Sequence, residues 1–222
     1  MKILAVDTAL GALSAALVED GAVLAEDWRE MSRGHAEALA PMVDQLMRGA
    51  DVPFPALDRL AVTTGPGTFT GQRVGIAFMR ALALALKKPL LGVTTLDAMA
   101  EAALAGNAKA EWAIAAADAK RGEIYLGARA PNRVLLEPIL IALEDAPERL
   151  APIAAASGES VAVAGTATEL LLPLLKGKPW DSEVRQPHAR FVARLATAAP
   201  IGARPSPLYL RAPDAKLPGT PS

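Results

Sequence analysis

The sequence predicts an α/β protein built from two similar halves, each a mixed sheet that opens with an antiparallel meander and carries helices on its faces. Three observations predict it. Short apolar runs of strand length alternate with segments of helical period. An Asp20-Gly21 pair between two such runs signals a hairpin turn. A strand ending in an acid recurs about half a chain later, with Asp7 matched by Asp118 and Gly11 by Gly122.

Ile3–Val6, Leu13–Val18 and Ala22–Trp28 read as three meandering strands. Ser32 is the expected N-cap of the first helix, in which Leu39, Met42, Val43, Leu46 and Met47 follow helical spacing. Pro41 lies inside that pattern and removes a backbone donor, so a bend or an early first turn is expected. Gly49 and the Pro53/Pro55 pair end the helix. Leu60–Thr64 is the next strand, followed by the glycine-rich loop Gly65–Gly71 and a long helix from about Gln72 to Lys87. Pro89–Thr94 is a strand, and Thr95 is expected to cap a helix from Leu96 to Ala105. The order β-β-β-α-β-α-β-α is that of a ribonuclease-H-like lobe.

The second half begins alike, with a strand at Ile114–Asp118, a turn at Lys120-Arg121-Gly122 and a return strand at Glu123–Ala128. Val134–Ile141 reads as a strand interrupted at Pro138. Ala146–Ala156, Thr168–Leu175 and Phe191–Ala199 read as helices, and Val161–Ala164 as a strand. The organisation expected is a lobe over 1–106, a lobe over 107–199, and a Pro/Gly-rich tail over 200–222 whose end is mobile.

Composition narrows the function. Hydrophobic residues make up 52% but aromatics only 4%, so the core should be aliphatic and tightly approached. A formal charge of −1 argues against a stand-alone tRNA binder, although a local basic patch is compatible with it. Without cysteine there is no disulfide framework, thiolate nucleophile or cysteine metal site. Asp7 falls too early for a signal-peptide apolar region, and no apolar run approaches the roughly 20 residues of a membrane span. A soluble, cytoplasmic protein is expected, with no membrane contact.

Four segments carry a resemblance: Ile3-Leu4-Ala5-Val6-Asp7-Thr8 with the strand after it; Arg33-Gly34-His35-Ala36-Glu37; Gly65-Pro66-Gly67-Thr68-Phe69-Thr70-Gly71-Gln72-Arg73-Val74-Gly75 with Gly92–Leu96; and Asp118-Ala119-Lys120-Arg121-Gly122-Glu123-Ile124-Tyr125. Pro207-Leu208-Tyr209-Leu210-Arg211 is a weaker fifth. Together they resemble the TsaB family, formerly YeaZ, over nearly the whole chain. Gln72 and Ala36 stand where the family usually has leucine and serine. The resemblance implies the actin-like ATPase (ASKHA) fold of two ribonuclease-H-like lobes. It also implies a non-catalytic scaffold for N6-threonylcarbamoyladenosine formation beside the tRNA anticodon. The partners implied are a TsaD-like catalytic subunit, a TsaE-like ATPase and, through the complex, tRNA. A homodimer is implied when the chain is isolated. No cofactor is expected on the chain alone; ATP or ADP belongs to the assembled complex. The rival readings are an autonomous actin-like ATPase and an M22-type peptidase homologue.

The residues themselves bear on catalysis. The catalytic sister family presents a His-x-x-x-His metal pair, and on a helix i and i+4 share a face. Aligned through the glycine loop, those positions are Thr95 and Met99, so no metal site is expected. His35 is either a base or ligand or an ordinary helix-start or interface residue; His188, after Pro187, reads as structural. Gly65–Gly71 is either a phosphate cradle or a tight turn for close helix packing. Asp7, Thr8 and Asp118 are candidates for a weak nucleotide or phosphate contact, or else acids that order their turns.

The segment Val74–Leu86 is apolar nearly all round, interrupted by Gly75 and Arg80. One side must cover the sheet. The other is covered either by the neighbouring helix or by a partner. The partner interface expected is Arg33, His35, Leu39, Met42, Leu46, Arg73, Ala77, Arg80 and Leu84, shared by two helices.

Overall fold

The structure is a computed structural model that describes residues 1–211. The end of the tail, 212–222, lies outside the described residues. Strands β1 (Lys2–Asp7), β2 (Ala12–Glu19) and β3 (Ala22–Glu30) form the expected meander. Asp20 and Gly21, both at positive φ, turn β2 into β3. The edge strand β3 carries Glu26, Asp27, Arg29 and Glu30, and charge of this kind discourages edge-to-edge pairing.

Helix α1 (His35–Gly49) starts later than the sequence suggests. Its N-cap is Gly34, at φ 87, and not Ser32. The helix runs through Pro41, well beyond its first turn. After β4 (Arg59–Thr63), α2 (Phe69–Leu86) starts three residues before Gln72 because Thr68 caps it, its hydroxyl accepting from Gly71 N at 3.1 Å. Strand β5 (Leu90–Val93) leads to α3 (Thr95–Gly106), capped by Thr94 and not Thr95, with Asp97 N donating at 3.0 Å.

The second half repeats the order with β6 (Trp112–Lys120), β7 (Glu123–Ala130), β8 (Arg133–Ala142), α4 (Ala146–Ser157), β9 (Ser160–Ala164), α5 (Thr168–Leu171), β10 (Lys178–Asp181) and α6 (Ala189–Ala198). Strand β8 is not interrupted at Pro138. It is an edge strand, and its register against β7 shifts between Leu126 and Ala128, so the missing donor is accommodated at a bulge. Strand β10 lacks an apolar run and was not anticipated. Where α2 has 18 residues, α5 has only 4.

The sheets run β3-β2-β1-β4-β5 and β8-β7-β6-β9-β10, the same order in both halves. The first three strands of each are antiparallel and the rest parallel. The duplication read from Asp7 and Asp118 is therefore a repeat of topology.

The third helix of each half crosses to the other sheet. Leu96, Met99, Ala100 and Ala103 of α3 pack on Ala113, Ala115, Ala117, Ala162 and Ala164 of the second sheet. Ala189, Val192, Ala193 and Ala196 of α6 pack on Ile3, Ala5, Ala16, Val18 and Ala61 of the first. The layers are α1/α2, first sheet, α6 with α3, second sheet, α4/α5. A division at residue 106 separates the sheets but not these layers, and neither 1–106 nor 107–199 is self-contained. First-half residues hold both ends of α6. Ala189 N donates to Ser14 Oγ at 3.0 Å, and Arg59 Nη1 donates to the carbonyls of Ala196 and Ala199, each at 3.1 Å. Among the described residues no helix is long and apolar enough to cross a membrane.

Where α3 and α6 meet, Arg129 of β7 sits 3.4 Å from both Asp97 and Glu101, and Arg194 of α6 sits 3.1 Å from Glu101. Arg129 is 7% exposed and Arg194 62%. Removing the buried cation leaves Asp97 without an ion pair and Glu101 with only the exposed Arg194. Arg129→Ala should therefore destabilise by about 3 kcal/mol, and Arg194→Ala by less than about 1 kcal/mol. Urea unfolding of the two variants measures the difference; equal losses would count against a buried charge network.

Candidate protein interface

The glycines after β4 serve packing. Thr8 Oγ1 donates to Gly71 O at 2.6 Å and accepts from Gly75 N at 3.0 Å. Thr68 N donates to Ala9 O at 2.8 Å. A Cβ on Gly67 would overlap the carbonyl oxygen of Ala9, one on Gly71 that of Thr8, and one on Gly75 would lie 2.6 Å from Thr8 Oγ1. Gln72, buried, donates from Nε2 to Gly67 O at 3.0 Å. Of the two readings of this loop, the geometry favours the tight turn. The space beside these glycines is filled by the β1–β2 turn, and the N–H groups of Thr68, Gly71 and Gln72 are already bonded.

The two hairpin acids occupy opposite environments. Asp7 is fully buried, and its Oδ1 accepts from Thr63 Oγ1 at 2.5 Å and Ala9 N at 3.2 Å. Its Oδ2 has no partner among the described residues. Burial pushes the Asp7 carboxyl up to about 7, against the two hydrogen bonds, which favour the charged form. Asp118 lies at the surface. Lys120 Nζ donates to it at 2.6 Å and Lys120 N at 2.7 Å, and the lysine hydrogen bond holds its carboxyl below the usual range despite some desolvation. Of the three residues considered for a nucleotide or phosphate contact, Asp7 and Thr8 are committed inside the first lobe, and only Asp118 is accessible.

Met99 is buried in the layer between α3 and the second sheet, and Thr95, buried at the start of α3, donates its N–H to Gly65 O at 2.8 Å while its Oγ1 has no partner among the described residues. His188 stacks on Trp28 with ring centroids 5.5 Å apart, and burial lowers its pKa. His35 is half-buried at the start of α1, with Nε2 unpartnered among the described residues, and Arg33 is exposed beside it.

The two-helix interface needs a correction. Leu39, Met42 and Leu46 are buried in the first lobe's own core, packed with Leu13, Leu57 and Met79, so their helical stripe faces inward. Helix α2 divides differently. Gly71, Gln72, Gly75, Ile76 and Met79 face in, whereas Arg73, Ala77, Arg80 and Leu84 face out, with Ala81 and Ala85 beside them. Leu84 is 75% exposed and Phe69 54%. This outward face is small and apolar in its middle and cationic on its flanks.

A segment after α6 completes the face. The Arg73 guanidinium lies 3.5 Å over the Phe69 ring and donates from Nε to Tyr209 Oη at 2.8 Å, while the Phe69 and Tyr209 rings stack at 5.6 Å. Arg80 donates to the carbonyl of Pro205. Leu208 N donates to Thr64 O at 2.8 Å, and Arg211 donates to Ala119 O at 2.7 Å and pairs with Glu123. Residues 205–211 thus form a strap from the first lobe to the second hairpin. Phe69 and Tyr209 were missed as interface candidates, although both lie inside motifs that carry the family resemblance.

A family described as "TsaD: tRNA N6-adenosine threonylcarbamoyltransferase" matches residues 29–176. The tRNA threonylcarbamoyladenosine biosynthesis protein TsaB of Escherichia coli is 41% identical over 125 residues, 56% of this chain and 53% of that protein, so the match spans about half the relative's length. YeaZ from Pseudomonas aeruginosa superposes with a TM-score of 0.74 at 31% identity, covering 89% of this chain and 92% of the other. A second Pseudomonas aeruginosa structure, described as similar to peptidase YEAZ, gives 0.81 at 33% identity, covering 95% and 99%. A ROK hexokinase from Thermus thermophilus, at 18% identity and a TM-score of 0.51 over 82% of this chain and 92% of the other, shares the fold alone. The architecture is the actin-like ATPase fold.

The burial of Asp7 has a pH signature. Between the ordinary carboxyl value of 3.8 and about 7, the unfolded chain releases the proton before the folded chain does. Stability from this group is complete below that window and declines as pH rises through it, by on the order of a few kcal/mol. Asp7→Asn should flatten the decline, so thermal melts at pH 5 and pH 8 should differ less for the variant than for the parent. An unchanged difference would mean that Asp7 is not held neutral by burial.

Proposed function

The chain belongs to the TsaB (YeaZ) family, and on that premise we propose that it serves N6-threonylcarbamoyladenosine formation in tRNA as a non-catalytic subunit that binds a TsaD-like catalytic partner. The observation that carries the reading is the outward face of α2. Ala77 and Ala81 allow a partner helix to approach closely, and Leu84 supplies exposed apolar area beside them. Arg73, laid over the Phe69 ring and bonded to Tyr209 Oη, is a fixed cation at one end. Arginine and aromatic side chains of this kind are enriched among residues that dominate binding energy. The same face can pair with a second copy when no partner is present, because a two-fold contact needs only self-complementarity.

The residues argue against autonomous chemistry. A phosphate-handling acid at the end of β1 would need to reach a bound ion, but Asp7 is enclosed with Thr63 and Ala9. Thr95 and Met99, at the positions that the resemblance assigns to metal-binding histidines, are both buried, Met99 in an apolar layer. The chain's contribution is then to present a surface that holds the catalytic subunit in its active arrangement. A TsaE-like ATPase and tRNA join through that assembly, which can also hold ATP or ADP.

Ala77→Arg places a long cation in the middle of the face without touching the core. It should abolish the complex with a TsaD-like subunit in size-exclusion light scattering and stop modification in a reconstituted reaction, while the melting temperature stays put. Asp7→Ala should leave the complex intact. A complex that survives Ala77→Arg would move the interface elsewhere, and magnesium-dependent ATP turnover by the chain alone would end the non-catalytic reading.

A further inference from the structure

A groove of about 640 Å³ lies at the far end of α2, between that helix, the turn into β5 and the segment after α6. Its charged lining is Arg80, Lys87, Lys88 and Arg204, and no acid lines it among the described residues. The imbalance is local, because the chain has 23 Lys and Arg against 24 Asp and Glu. About half of the described cations elsewhere are paired, as in Lys2–Glu19, Arg185–Asp181 and Arg190–Glu26, whereas the four in the groove gather with no acid among them. Lys87, Lys88 and Arg204 make no ion pair among the described residues, and Arg80 meets only the carbonyl of Pro205. Lysines at a helix C-terminus favour the helix dipole, which accounts for Lys87 and Lys88. It does not account for Arg80, a turn or more upstream, or for Arg204, which arrives on a separate segment.

We propose that this groove is a binding site for the phosphate backbone of double-helical RNA. The proposal rests on the tRNA-modification reading and adds a direct nucleic-acid contact to it. Three properties favour this occupant. Unpaired cations without acids match a polyanion, whereas a protein interface core is depleted of charge and would have to desolvate all four. No aromatic residue among the described residues lines the groove, which argues against the base-stacking platforms of single-strand binders. Backbone contact without base reading is how proteins engage A-form helices. With a net charge of −1 on the whole chain, the contact is weak alone and acts by orienting tRNA once the partner supplies the main affinity.

The test uses the full chain and a fluorescein-labelled unmodified tRNA transcript, with binding read by anisotropy across a salt series. The variant is Lys87→Gln/Lys88→Gln/Arg204→Gln, and the control is Lys176→Gln/Lys178→Gln, two exposed lysines on the second lobe. The parent and the control should bind with a log–log salt slope near −3, and the triple variant should bind about tenfold more weakly with a slope lower by about 2 to 3. If the triple variant fails to fold by circular dichroism, Arg204→Gln alone should lower the slope by about 1. Equal binding by variant and parent, or no binding by the parent at low salt, overturns the proposal. Tighter binding of poly-glutamate than of tRNA overturns it in favour of an acidic protein partner. The groove borders the partner face and shares Arg80, Ala81 and Leu84 with it, so the triple variant spares those three residues and Ala77→Arg, outside the groove, tests the protein interface separately.

Discussion

The exchange of α3 and α6 is the constraint on which the rest of the structure depends. Each half of the chain builds a sheet but covers the inner face of the other half's sheet. The contact works because the facing side chains are small. Alanines at 113, 115, 117, 162 and 164 admit α3, and Ala5, Ala16 and Ala61 admit α6. This explains a composition rich in apolar residues and poor in aromatics. Polar groups fix the arrangement at its ends and its middle. Ser14 and Arg59 bind the two termini of α6, and Arg129, Asp97, Glu101 and Arg194 tie β7, α3 and α6 together.

A second close contact orients the outward face. Thr8 grips the backbone of α2 at Gly71 and Gly75, where only glycine leaves room. That grip fixes the rotation of α2 about its axis and hence which residues look outward. The glycine loop, which invites a phosphate reading, sets the aim of the helix that follows it. The opposite end of the same helix opens onto the basic groove, so one element connects both proposed surfaces.

Much of this was legible in the sequence because it is local. Strand-length runs, the Asp20-Gly21 turn and the Leu39–Met47 spacing correspond to β1, β2, β3 and α1 as observed. The recurrence of Asp7 and Gly11 at Asp118 and Gly122 pointed to the duplicated topology. What escaped is decided by distant residues. The all-apolar pattern of α2 could not say which side faces in, and a stripe on α1 could serve a core or a partner equally well. Glycines at 65, 67 and 71 read as loop, yet Gly71 belongs to the helix because Thr8 requires close approach there. Strand β10 has no apolar run because it is an edge, and the swap of α6 onto the first sheet leaves no local trace. Equal acids at equal positions, Asp7 and Asp118, are shifted in opposite directions by surroundings that sequence alone does not display.

The strap of residues 205–211 has a mechanical consequence. Its bonds reach Thr64 and α2 on one lobe and Ala119 and Glu123 on the other, on top of the exchanged helices. A two-lobed protein that works by closing around a ligand needs a free hinge. Here a rocking motion between lobes would have to stretch the strap and shear the α3–α6 contact together, so relative rotation is damped. A partner of the proposed kind would then meet a preformed shape, and association would lose little entropy in ordering it.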